Sequence, residues 1–173
     1  MNNRVAMAVL VSGSIALVAC GKKDAPDQLP PVGGEETVDT GTQGPATSGA
    51  PVVGSQEHFE NAVNGQNVIY FDTDRYNVDS TDAAILQAQA QYLQRYPQIT
   101  VTIEGHADER GTREYNLALG ERRANSAKNY LVSLGVAANR MRTVSYGKER
   151  PVALASNESA WAQNRRAASV VIN

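Results

Sequence analysis

The chain has 173 residues, a formal net charge of −2, 42% hydrophobic residues and one cysteine. That length holds one ordinary domain with flanking segments. A single cysteine excludes an internal disulfide framework, and near-neutral charge without a basic stripe argues against a nucleic-acid partner.

The first stretch, residues 1–19, carries one charge, Arg4, and then runs apolar or small from Val5 to Ala19. About fifteen apolar residues fall short of the roughly 20 needed to span a bilayer. A charged start, a short apolar core and small residues at its end form the pattern of a secretory signal. Leu17-Val18-Ala19-Cys20 resembles the lipobox of bacterial lipoproteins, in which the cysteine is acylated and becomes the first mature residue. Several acyl chains hold a protein stably where one holds it marginally, at about 0.8 kcal/mol per buried CH₂. Gly21 in place of an aspartate resembles the pattern that sorts to the outer membrane.

From Cys20 to Ser55 the composition changes, and five of the seven prolines fall here with many Gly, Ser and Thr. Lys22 and Lys23 against Asp24, Asp27, Glu35, Glu36 and Asp39 sum to −3. Such a segment buries too little apolar surface to offset chain entropy and is expected to be disordered. Residues 20–55 are therefore expected to be a lipidated anchor followed by a tether.

Residues 56–173 carry thirteen Lys/Arg and thirteen Asp/Glu, a formal charge of zero, and are expected to form one domain. Ser55 is placed to cap a short helix over "QEHFENAV", and "NVIYFD" (67–72) is β-branched and aromatic, as strands are. Asp79, Ser80 or Thr81 can cap a second helix, in which Leu86, Ala90 and Leu93 recur at helical spacing until Pro97. In "ITVTIEG", Ile99, Val101 and Ile103 share one face of a strand. A third helix is predicted from about Arg113 to Leu134, with Leu117, Ala124, Ala127, Leu131 and Leu134 as its core stripe and Gly135 as its stop. "RTVSYG" and "AASVVIN" complete the strands. Alternating strands and helices predict two layers, helices against one sheet.

The chemistry concentrates in "IEGHADERGTREYNLALGERRANSAKNYL". A strand ends, a charged loop follows, and a helix begins near Glu114. Asp108 is the loop carboxylate nearest the strand end, with Glu109, Arg110 and Arg113 around it. Asn116, Gly120 and Arg123 fall at i, i+4 and i+7 and share a helix face, while Arg122 should be solvated. Gly120 costs about 1 kcal/mol in a helix relative to Ala, and its missing side chain is expected to open a gap between Asn116 and Arg123. An acid and an arginine that converge without neutralising each other suit a zwitterion: the carboxylate takes an ammonium, and the guanidinium grips a carboxylate. Spacing alone leaves open a plain ion pair between Asp108 and Arg123.

"IYFDTDRYNV", "IEGHADERGTREYNLALGERRA", "VSYGKERPV" and "NRRA" resemble the OmpA-like peptidoglycan-binding domain family. The run from Gly105 to Thr112, behind a lipobox and linker, is of the type carried by its lipoprotein members. The resemblance implies an α+β fold, a two-layer domain with a mixed four-stranded sheet and helices on one face. It implies noncovalent binding of meso-diaminopimelate in peptidoglycan stem peptides. Asp108 would accept the ammonium, Arg123 would hold the carboxylate, Asn116 would assist, and backbone N–H groups near Thr73 and Asp74 would donate to the carboxylate. Ala107 stands where some members carry a threonine, and Asp72 adds a carboxylate at the edge of the site. The resemblance further implies partners, TolB and TolA, and a lipid-anchored place in the outer membrane facing the periplasm. The alternative is an anchor of the same family outside the Tol system.

An enzyme is the rival class. His58 and His106 are the only histidines, and a zinc site needs three or four ligands with recognisable spacing. The nucleophile elbow and phosphate loop are missing from the sequence. Adjacent Asp108 and Glu109 do not flank a bond as glycan hydrolysis requires. No cofactor is expected, and His106 is read as a hydrogen-bonding residue that shapes the loop. Trp161 is read as covering one edge of the core. Arg165 and Arg166 are placed either to cap the "NESAWAQNRRAA" segment or to meet an acidic partner surface.

Overall fold

A computed structural model describes residues 50–172. The signal-like segment, Cys20 and most of the tether lie outside the described residues. Among the described residues, no helix is long and apolar enough to cross a membrane.

The elements run α1 (Gln56–Ala62), β1 (Val68–Tyr70), α2 (Ser80–Arg95), β2 (Thr100–His106), α3 (Arg113–Ser133), β3 (Met141–Gly147), α4 (Glu158–Asn164) and β4 (Arg166–Ile172). Local chemistry sets most of the ends. Side-chain oxygens of Ser55, Asp79, Thr112 and Asn157 accept the N–H groups of His58, Asp82, Tyr115 and Ala160 at the four helix starts. Gly135, at φ 94°, follows α3 in the left-handed conformation that ends a helix.

The sheet order is β1-β4-β2-β3, with β1–β4 and β4–β2 antiparallel and β2–β3 parallel. This is the expected mixed four-stranded sheet. A parallel pair needs a long crossover, and α3 supplies it. Val101 and Ile103 of β2 and Val171 of β4 join Phe59, Ile69, Leu86, Leu93, Ala124, Ala127, Leu131 and Met141 in one core between sheet and helices. On the other face of β2, Thr100, Thr102 and Glu104 are half-buried.

Three expectations need correction. β1 stops at Tyr70, short of Asp72, because beyond Phe71 the backbone turns away and the Asp72 carbonyl accepts from Arg123 Nη2 at 3.1 Å. In α3 Leu119 is buried while Leu117 is only half-buried, so the stripe leans toward the cavity described below. Gly120 opens no gap. A Cβ there would collide with Ser145 Oγ and lie 2.8 Å from the Gly105 carbonyl oxygen. The space is filled by β2 and by Ser145 of β3, and the glycine lets helix and sheet approach closely.

Candidate functional site

The loop from Ala107 to Thr112 is held from three sides. A register shift in the β2–β3 pairing falls between Gly105 and His106, and Ala107 N donates to the Gly147 carbonyl at 2.8 Å. Lys148 Nζ donates to the carbonyls of Glu109 (3.1 Å) and Gly111 (2.7 Å). From α3, Asn116 Nδ2 donates to the Arg110 carbonyl at 2.7 Å. A loop tied at both ends and in the middle presents its side chains on a fixed frame.

That frame borders a cavity of about 300 Å³, closed by the first turns of α3 and by the turn at residues 73–74. All five residues expected to meet a ligand line it: Thr73, Asp74, Asp108, Asn116 and Arg123. Arg110, Tyr115 and Leu119 join them. This volume lies at the low end of ordinary small-molecule sites.

Asp108 is largely buried and heavily engaged. Its Oδ1 accepts from Arg110 N (3.1 Å) and Nε (3.1 Å), and its Oδ2 from Arg110 Nη2 (2.7 Å), with Arg165 Nη1 at 3.5 Å. Burial alone would push this carboxyl up, but hydrogen bonds from the Arg110 side chain and backbone outweigh it and hold the group below its usual range. Asp108 is therefore ionised at neutral pH.

Arg123 is 0% exposed. It donates from Nε to the Arg75 carbonyl (2.9 Å), from Nη1 to His106 (2.7 Å) and from Nη2 to Asp72 (3.1 Å). Its guanidinium lies 5.3 Å from the Phe71 ring centre. Burial and the neighbouring Arg165 lower its pKa to about 10, so the cation persists at neutral pH. Three of its five N–H donors are engaged, and two remain. Among the described residues there is no ion pair between Asp108 and Arg123. Each has separate partners, which removes the plain ion-pair alternative.

Asp74 sits at φ 57°, a left-handed conformation that Asp tolerates, and Tyr115 Oη donates to its Oδ1 at 3.1 Å. Among the described residues, the N–H groups of Thr73 and Asp74 take no protein acceptor. Two such groups beside a buried guanidinium form an anion-accepting corner.

Other expectations shift. Arg113 pairs with Glu149 at 3.3 Å, away from Asp108, and Glu109 accepts from Trp161 Nε1 at 2.9 Å. Trp161 therefore belongs to the rim of the site instead of covering the core. The Arg110 guanidinium carbon lies 4.3 Å from the centre of its ring. The His106 side chain is buried with both ring nitrogens unpartnered; its carbonyl, not its ring, shapes the loop by accepting from Arg123. Asp72 lines a second cavity with Arg75, Asp79 and Asp82, and does not line this one. Arg165 was missed as a site residue. It donates from Nε to the Phe71 carbonyl (2.9 Å) and from Nη2 to Glu158 (2.7 Å), and it backs Asp108. Among the described residues no group of three or more His, Cys, Asp or Glu could hold a metal ion.

A family model described as the OmpA family matches residues 70–165. A peptidoglycan-associated lipoprotein of Rhizobium meliloti is 56% identical over 124 residues, 72% of this chain and 69% of the relative. One from Brucella melitensis is 45% identical over 169 residues, 97% of this chain and 92% of the relative. The crystal structure of the peptidoglycan-associated lipoprotein from Burkholderia pseudomallei superposes with a TM-score of 0.63 at 49% identity, covering 65% of this chain and 96% of that one.

Proposed function

Since the chain belongs to the OmpA family and, within it, to the peptidoglycan-associated lipoproteins, we propose that it binds peptidoglycan and ties the outer membrane to the cell wall. It acts by holding a ligand, not by catalysis. The ligand is the free zwitterionic end of meso-diaminopimelate in a stem peptide. Asp108 takes the ammonium, and Arg123 with the N–H groups of Thr73 and Asp74 takes the carboxylate. Asn116 keeps the loop in place. Acylated Cys20 is the membrane anchor, and the segment after it joins that anchor to the domain. Within the Tol–Pal system the partners are TolB and TolA, and the role is envelope integrity during division.

One observation carries this reading. A buried carboxylate and a buried guanidinium border the same cavity, each ionised at neutral pH and neither neutralised by the other. That is the charge pattern of a zwitterion, turned inside out. A plain hydrolytic or metal site would not need it.

Sedimentation of the purified chain with diaminopimelate-type sacculi tests the reading. Wild type is compared with Asp108→Asn, which keeps the shape of the side chain and removes its charge. Co-sedimentation of wild type, lost in a variant with an unchanged melting temperature, supports the assignment. Equal binding by the variant, or no binding by wild type, overturns it.

A further inference from the structure

Asp108 lines the cavity with its charge already partnered. Arg110, two residues along the same loop, already places a cation on it with Nε–Oδ1 and Nη2–Oδ2 contacts of 3.1 and 2.7 Å. The same Nη2 reaches Thr73 Oγ1 at 3.3 Å, so the side chain bridges the loop and the opposite turn across the cavity. We propose that Arg110 is an internal stand-in for the ligand's ammonium, and that binding exchanges one cation for another on Asp108. This inference rests on the diaminopimelate reading of the cavity.

Three arginines approach this site, and only one is free to leave. Arg123 is fixed to three backbone carbonyls and Arg165 to the Phe71 carbonyl and Glu158. Arg110 makes no side-chain bond to backbone, and its side chain is 39% exposed against 7% for Arg165. It has somewhere to go: the charges of Glu158 and Asp74 are near, and a move toward either takes the guanidinium off the Trp161 ring it now lies against. The backbone N–H of Arg110, also on Oδ1, survives the exchange and keeps the carboxylate oriented.

The exchange makes the site selective. A ligand that evicts Arg110 must restore a charged partner to a carboxylate that is mostly out of water. An ammonium does this, whereas a hydroxyl or amide leaves the anion short of compensation. Arg123 lines the cavity yet is wholly covered from solvent. A ligand carboxylate therefore reaches it only when the mouth opens, and Arg110 is the least anchored of the arginines at that mouth.

The test uses the purified full chain and free meso-diaminopimelate as the probe, read by calorimetry and by emission of Trp161, the chain's single tryptophan. Arg110→Gln should bind the probe about fivefold tighter than wild type, the equilibrium equivalent of one partly exposed ion pair removed from competition. Its melting temperature without ligand should fall slightly, and the rise on adding ligand should be larger. Wild-type emission should change on binding as the guanidinium leaves the indole, and that change should vanish in Arg110→Gln. Arg110→Lys, which keeps a cation without the two-point grip, should fall between. Equal or weaker binding by Arg110→Gln beside a binding wild type overturns the exchange and leaves the cavity assignment standing. No binding by either protein overturns both.

Discussion

Gly105 of β2 and Gly120 of α3 face each other with no room for a side chain on either. A Cβ on Gly105 would collide with the Gly120 carbonyl, and one on Gly120 would press on the Gly105 carbonyl oxygen and collide with Ser145 Oγ. Ser145 Oγ itself donates to the Leu117 carbonyl at 2.7 Å, so that wall cannot give cheaply. This contact fixes the height of α3 above the sheet, and with it the positions of Asn116 and Arg123.

Helix propensity favours Ala over Gly by about 1 kcal/mol. Gly120→Ala should nevertheless destabilise the domain, by about 1–3 kcal/mol, because overpacking against backbone outweighs propensity. Denaturant unfolding checks the sign. Sedimentation with sacculi should also weaken, since the shift moves one side of the cavity relative to Asp108.

Arg123→Lys keeps the charge and should still fail. The three carbonyls that Arg123 serves belong to Asp72, Arg75 and His106, and one ammonium cannot reach all of them with the geometry of a planar fork. Carbonyls left without donors in a buried place cost about 1–3 kcal/mol each. The expected result is a clear drop in melting temperature together with loss of sacculus binding. A variant that is stable yet does not bind would mean instead that the lysine satisfies the backbone and that only the ligand contact is lost.

What could be read from the chain follows its locality. Caps, the Pro97 and Gly135 stops and the strand alternation involve residues within a few positions of one another, and they appear where expected. The shared face of Asn116 and Arg123 was legible for the same reason. Arg165 on Asp108 and Trp161 on Glu109 join residues 57 and 52 positions apart, and nothing local in "NESAWAQNRRAA" announces them. The one usable signal was a polar-rich segment with two arginines at its end, which fits a cap as well as a site. Gly120 suggests open space in the sequence because a glycine looks the same there whether a ligand or a strand fills the void.

Asn116 separates positioning from contact. Its amide holds the Arg110 carbonyl at 2.7 Å while it lines the cavity. Asn116→Asp swaps the donor for an acceptor facing that carbonyl, so the loop loses a tie and gains a repulsion. Stability should fall by about 1–2 kcal/mol, and sacculus binding should weaken even where the variant stays folded. Hydrogen exchange on the amides of residues 109–111 should rise selectively if the amide's task is to hold the loop.

His106 gives the domain a dependence on acid that is independent of the ligand. The ring is 1% exposed and both nitrogens lack hydrogen-bond partners. Burial, with the positive charges of Arg166 and Arg150, lowers its pKa from the usual 6.5 to about 4. Glu104, 3.6 Å from Nε2, does not outweigh them. A group whose folded pKa lies below its unfolded value binds more protons when unfolded, so stability rises with pH across that interval. The contribution is complete above about 6.5 and is lost as pH falls toward 4, amounting to about 3 kcal/mol for this shift. Unfolding curves at neutral pH and at successive steps down to pH 4 should show the decline. His106→Phe, which keeps a ring against Tyr146 and removes the titration, should flatten it between pH 6.5 and 4. Asp108, held below the usual carboxylate range, keeps its contribution throughout this window and loses it only at lower pH.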